Sequence, residues 1–414
     1  MHHRPAPRSL RLLLVALATS SVLLVASCSS NDDAGDEPAR ATTSTSASDT
    51  SGDPGDSGEM PGGYVVFNGQ GNNLDAYEPI PPFTTQRVIT NAEDDPSGLD
   101  INAQICFFPD GSGRFIAGED TGQSEGDLQG WGIFELDGGK VGEFSATQVA
   151  KLVPTYQGSS DNAENYGCGL LSDGRIVTTD IGNQASGEGD GQLIVWYPPF
   201  DSEQVAYCKI DVGIATAQSI WVDDQDRVYV ASSRPPTSGV WRYSGPFPTG
   251  PDAAGGCGQT DATGAPLTDQ VRKELFVEAF QNDLIAPTGL AASPEGNLYV
   301  ASVINGVINE YDANGVFVRR ILQPPAGEEL GAEPYTTGTP LGLAVGPDGT
   351  LFYADIGIVN DNGDIGPGSR TGSLRRIVFV DGEPRPPETM ATDLAVPDGV
   401  GILVGGGGAG RSRL

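Results

Sequence analysis

Histidine is almost missing. The chain of 414 residues has two, His2 and His3, and both lie in a leading segment read below as an export signal. The body therefore has no imidazole. That excludes Ser-His-Asp and Cys-His catalysis, histidine-held zinc or copper, and haem on a histidine axial ligand. Any base must be a carboxylate, a lysine or a tyrosine. Any protein-bound metal is then a hard cation on oxygen ligands, calcium before magnesium. Positive charge is scarce too, at 23 Lys and Arg against 55 Asp and Glu, a formal net charge of −32. Such a surface repels nucleic acid and anionic lipid heads. Helical heptads and long amphipathic stretches are also absent.

What is abundant is turn chemistry, with 58 Gly and 31 Pro, the composition of an all-β chain of short strands. Residues 286–322 read as four strands joined by tight turns, Ser-Pro-Glu-Gly and Asp-Ala-Asn-Gly among them. One such sheet cannot bury both faces and needs copies beside it. The copies are present. A turn followed by an apolar strand recurs as PDGSGRFIAGED (109–120), LSDGRIVTTD (171–180), DDQDRVYVAS (223–232) and GPDGTLFYAD (346–355). A strand precedes each turn: NAQICFF (102–108), NYGCGLL (165–171), AQSIWV (217–222), PTGLAA (287–292) and PLGLAV (340–345). PDGVGILV (397–404) is a sixth such strand without partners. The interval of roughly 50 to 70 residues is that of kelch-like propeller blades. YVVFNG (64–69), NNLDAYEP (72–79) and FTTQRVI (83–89) supply three strands lacking a first. The expectation is an all-β, six-bladed propeller, closed by the C-terminal strand as the innermost member of a sheet whose other three strands are N-terminal.

Residues 1–27 read as a signal peptide. Arg4, Arg8 and Arg11 precede an apolar run, and Val-Ala-Ser-Cys ends it like a bacterial lipobox. That resemblance implies a diacylglyceryl group on Cys28. Residues 28–63 then form a flexible tether of Ser, Thr, Asp, Gly and Pro, and 64–414 the propeller. The expected location is the outer face of the cytoplasmic membrane, with the lipid as anchor. An exported chain can form disulfides. Cys106 and Cys168 fall on innermost strands of neighbouring blades, which favours Cys106–Cys168 and, with it, Cys208–Cys257. Four cysteines permit three pairings.

In a four-stranded blade, the loops between second and third strands share a face with the blade-to-blade connections. The acidic, glycine-rich stretches 119–130, 181–191 and 356–372 should therefore crowd one mouth of the channel. Gln104, Asn165, Tyr166, Gln218, Thr288 and Asp398 lie at the starts of innermost strands opening there. Glu119, Asp120, Asp180 and Asp355 end second strands at the same level, and Trp131 could join Tyr166 on an aromatic rim. Such oxygens could hold calcium or a polar ligand, with Asn165, Gln218, Asp398, Glu119 and Asp120 as candidate metal ligands. Each residue also has a plainer use as a turn cap or solvated acid. Asp361-Asn362-Gly363-Asp364 suggests a calcium loop but lacks the EF-hand spacing.

PTGLAASPEGNLYVAS and PLGLAVGPDGTLFYAD resemble the NHL-repeat and gluconolactonase/regucalcin-like group of six-bladed propellers. The resemblance implies a divalent cation in the channel, held by Glu, Asn, Asn and Asp, and opening of lactones or esters. Asp398 matches the Asp position and Asn165 one Asn, while Thr288 and Leu341 occupy other ligand positions. Asp398 or Asp180 would be the ligand or base. Quinoprotein sugar dehydrogenases need a catalytic histidine, so no quinone is expected, nor zinc or haem. Three readings stay open. One is a binding propeller for a small polar ligand, glycan or surface protein. The second is a calcium-dependent lactone or ester hydrolase. The third is a structural envelope component.

Overall fold

The computed structural model describes residues 63–119, 130–153, 163–183, 191–202, 205–250 and 270–405. Among them, six four-stranded antiparallel sheets form a six-bladed β-propeller. Blade one is built from Ile101–Phe107, Phe115–Glu119, Gly130–Asp137 and Ser145–Leu152, innermost strand first. The innermost strands of blades two to five are Ala163–Leu170, Ala217–Val222, Pro287–Ala292 and Pro340–Val345. In blade six the innermost strand is Pro397–Val404, and it pairs with Tyr64–Gln70 from Tyr64↔Val404 to Gln70↔Pro397. The six innermost strands neighbour one another around a closed ring. Closure leaves no free inner edge. Among the described residues no helix is long and apolar enough to cross a membrane.

Local chemistry explains the hairpins. Between first and second strands, Gly174, Gly296 and Gly349 take φ of +89°, +86° and +83°, which only glycine adopts freely. Asp173, Ser293 and Asp348 brace these turns by accepting hydrogen bonds from backbone N–H groups two residues on. The Asp361-Asn362-Gly363-Asp364 stretch is no calcium loop. It is the tip of a hairpin between Ile358–Asp361 and Asp364–Pro367, with Asn362 and Gly363 at φ +54° and +100°. Asn-Gly with both φ positive makes the hairpin turn whose twist suits flanking strands.

The core lies between blades. Trp131, Ile133 and Leu152 of blade one pack with Ile176, Ile194 and Trp196 of blade two. Cys106 and Cys168 are joined there by a disulfide, 62 residues apart in sequence. Cys208 is also disulfide-bonded, and Cys257 lies outside the described residues.

Candidate functional site

All six blades share one irregularity. The pairing between innermost strand and its neighbour slips near the start: between Asn102 and Cys106, Asn165 and Cys168, Ala217 and Ile220, Pro287 and Leu290, Pro340 and Leu343, and opposite Asn68–Gln70 in blade six. Such bulges re-aim side chains. The registers align two successive layers. The outer, at the mouth, is Ala103, Tyr166, Gln218, Thr288, Leu341 and Asp398. The next is Gln104, Gly167, Ser219, Gly289, Gly342 and Gly399.

The second layer is made of small residues because the strands meet there. A Cβ on Gly399 would lie 1.9 Å from the Ala103 carbonyl oxygen, and one on Gly342 would lie 2.1 Å from that of Asp398. Gln104 is the exception, and the structure moves it from mouth to channel wall. Its Nε2 donates to Ile220 O at 2.9 Å, while its Oε1 accepts from Ile220 N at 3.0 Å and Cys168 N at 3.3 Å. Gln104 thus bridges three blades and offers a ligand little.

The mouth layer holds an apolar plug. Tyr166 and Ile181 of blade two pack in one cluster with Ala286 and Val303 of blade four and Leu341, Ile356 and Ile358 of blade five. Blades two and five stand opposite each other, and no residue of blade three belongs to the cluster, so it reaches across the channel axis. Beside it, Thr288 and Gln218 are 2% and 7% exposed, and neither Thr288 Oγ1 nor Gln218 Oε1 has a hydrogen-bond partner. Buried oxygens left this way cost roughly 1–3 kcal/mol each, a cost that a hydrogen-bond-donating ligand would remove.

The carboxylates serve the fold. Glu119, 2% exposed, turns to the outer strands and pairs with Lys151 Nζ at 2.5 Å. Glycines make this possible, since Glu119 stands opposite Gly130 on the next strand, which has no side chain in the way. Asp355 accepts from Thr339 N at 2.7 Å, Gly357 N at 3.1 Å and Ser373 Oγ at 2.7 Å, and pairs with Arg375 at 3.2 Å. Asp180 is buried and has interactions of its own. Asn165 Nδ2 donates to Gly130 O at 2.6 Å. Trp131 does not rim the mouth: it is 1% exposed inside the blade one–two core. Asp120 lies outside the described residues.

Asp398 closes the seam between blades six and one. Its Oδ2 accepts from Ala103 N at 2.7 Å, its Oδ1 from Gly399 N at 2.6 Å, and Ala103 is held at φ +67°. Burial pushes its carboxyl from the ordinary 3.8 up to about 6, against the opposing pull of those backbone N–H groups. The folded protein therefore keeps a proton that the unfolded chain releases. The resulting stability is fully present below about pH 4 and is lost as pH rises through about 6, on the order of 3 kcal/mol for a shift of this size. Asp398→Asn should flatten that part of the profile. The check is the urea midpoint of both proteins from pH 4 to 7; parallel profiles would contradict the assignment.

Calcium takes six to eight oxygen ligands. Of the described candidates, Asp398 spends both oxygens on backbone N–H groups and Glu119 is paired with Lys151, which leaves only the amide oxygens of Gln218 and Asn165. Among the described residues no group of three or more His, Cys, Asp or Glu is placed to hold a metal ion. The described donors do not fit calcium.

No family model and no curated protein matches the chain. Solved structures similar to it include a protein of unknown function from Bacteroides caccae, with 12% identity, a TM-score of 0.46, and coverage of 82% of this chain and 98% of that one. Virginiamycin B lyase from Staphylococcus aureus has 10% identity and a TM-score of 0.42, covering 79% and 80%. Regucalcin from Agrobacterium tumefaciens, a calcium-binding protein, has 15% identity and a TM-score of 0.36, covering 63% and 82%. At these values the likeness adds nothing to the blade count, which strand pairing already establishes.

Proposed function

We propose that this is an exported binding propeller, tethered through a lipid on Cys28 to the outer face of the cytoplasmic membrane. Its channel mouth takes a small ligand with an apolar face and a hydrogen-bond-donating edge. The observation that carries this is the pairing of an apolar plug with two buried oxygens lacking partners. Tyr166 and Leu341 bring apolar side chains to the mouth layer, while Gln218 Oε1 and Thr288 Oγ1 are the acceptors without partners. Sites of this makeup, apolar with a few placed polar groups, are the usual form of small-molecule pockets. The tether is supported by the Val-Ala-Ser-Cys ending of the leading apolar run and the Ser- and Asp-rich stretch after it. A calcium-dependent hydrolase would need several oxygens converging on one point, and the described carboxylates are spent on the fold.

The experiment is a melting-temperature panel of small polyols, amides and lactones against wild type and a Gln218→Leu/Thr288→Val double variant. A ligand that binds only the folded state raises the melting temperature by mass action. Members of the panel should stabilise wild type and lose most of that effect in the double variant. Equal stabilisation of both proteins, or of neither by any member, sinks the proposal.

A further inference from the structure

Away from the mouth, the outer part of blade three carries a hollow of about 470 Å³ lined by Arg227, Arg242, Ser244, Arg272, Lys273 and Glu274. Its composition runs against the rest of the chain, whose formal net charge is −32. Strand register explains its shape. Tyr229, Arg242 and Glu274 stand opposite one another in one row, and Ser244 stands opposite Arg272 in the next. Arg227 immediately precedes the second strand, Val228–Ser232, and so borders Ser244. Side chains two residues apart share a face, so Arg227, Ser244 and Arg272 lie on the same side as Tyr229, Arg242 and Glu274. Ser244 is the short residue between two arginines, and the hollow lies over it.

The arginines are held from behind. Arg227 Nε donates to Asp223 at 2.5 Å, and Arg242 Nε to Glu274 Oε1 at 2.6 Å. The Arg242 guanidinium sits 5.1 Å from the Phe276 ring centre and 6.0 Å from that of Tyr229. Arg227 is likewise 6.0 Å from Tyr229. Each pairing engages only part of a guanidinium with five N–H donors. Among the described residues Arg272 makes no ion pair. Lining the hollow are many donors and a single carboxylate, already engaged with Arg242. Only an acceptor-rich ligand complements that, and planar arginine forks suit phosphate or carboxylate oxygens.

We propose that this hollow on blade three is a second ligand site, for a phosphate-type oxyanion. The test is calorimetric titration of the purified protein with tripolyphosphate and with inorganic phosphate, at matched ionic strength in sodium chloride. A surface this acidic repels anions elsewhere, so background binding is low. Saturable binding of one tripolyphosphate per chain is expected. Arg272→Glu should weaken it about tenfold or more, the scale of one lost charge-assisted hydrogen bond. Ser244→Leu should remove it by filling the hollow without altering any charge. Should Ser244→Leu fail to fold, Arg272→Glu at an exposed site decides alone. No saturable binding, or binding unchanged in the folded variants, overturns the proposal. Cosedimentation of the protein carrying Cys28→Ser, which cannot be lipidated there, with phosphatidylglycerol vesicles, removed by Arg272→Glu, would identify a lipid headgroup as the phosphate source. Tripolyphosphate binding without cosedimentation would identify a soluble one.

Discussion

A chain that stops at Val396 is expected to lose the folded ring altogether. Pro397–Val404 is the innermost strand of blade six, and Tyr64–Gln70 has it as the partner on its inner side. Removing it exposes the buried faces that Val400 and Ile402 share with Tyr64, Val66 and Phe352. It also strips Asn68 Nδ2 of its acceptor, Gly399 O at 2.8 Å, and Ala103 N of Asp398. Blades five and one then face a gap instead of a neighbour. Native stability is typically only about 5–15 kcal/mol, and losing a central strand with its packing is a loss of that order. The truncated protein should show no cooperative thermal transition. A peptide covering residues 397–405, added in excess, should restore one. A truncated protein melting cooperatively within a few degrees of wild type would show that closure by this strand is not what holds the ring.

The second large effect is expected at Asp355. It is fully buried, yet every contact it makes is to the fold. One oxygen accepts from Thr339 N, Thr339 Oγ1 and Gly357 N, the other from Ser373 Oγ and Arg375. These partners lie on the connection into blade five, the start of the hairpin insertion and the third strand. Asp355→Ala would leave Arg375, only 15% exposed, without its counter-charge and two backbone N–H groups without acceptors. Breaking a buried pair from one side costs about 3–5 kcal/mol, and that is the expected loss in urea denaturation. Thr339→Val, which removes one bond to Asp355 and the acceptor of Ile358 N, should cost less, about 1–3 kcal/mol. If Asp355→Ala cost no more than Thr339→Val, the residue would not be the hub described here.

The blades were legible because their signals are local. Asp-Gly turns and period-two apolar strands recur at PDGSGRFIAGED and GPDGTLFYAD, and the unpaired strand at 397–404 matched the three unpaired strands at 64–89. The mouth was only partly legible. Tyr166, Gln218, Thr288 and Asp398 do share a layer, but Gln104 sits one layer deeper, and a one-residue slip at a bulge is not visible in composition. Glu119 and Trp131 misled for a related reason. Their directions depend on the face that each second or third strand turns to its neighbour. In Glu119's case they depend also on Gly130, which lets Lys151 reach it. The apolar plug gathers residues nearly two hundred positions apart, from Tyr166 to Ile358. One trace of it was available: Asp-Ile-Gly occurs at 180–182, at 355–357 and at 364–366. At 180 and 355 the acid is buried on a second strand, and Ile181 and Ile356 join the plug.

The described carboxylates at this end of the propeller hold the fold, which leaves the mouth to the organic ligand proposed above. The most direct test is the melting temperature of the purified protein in calcium, in sodium at matched ionic strength, and with chelator. Screening of a surface this negative should raise stability in both salts. Calcium is expected to do no more than sodium, and chelator to change nothing. A calcium-specific rise that chelator reverses and Asp398→Ala abolishes would contradict this, and would make the mouth a metal site.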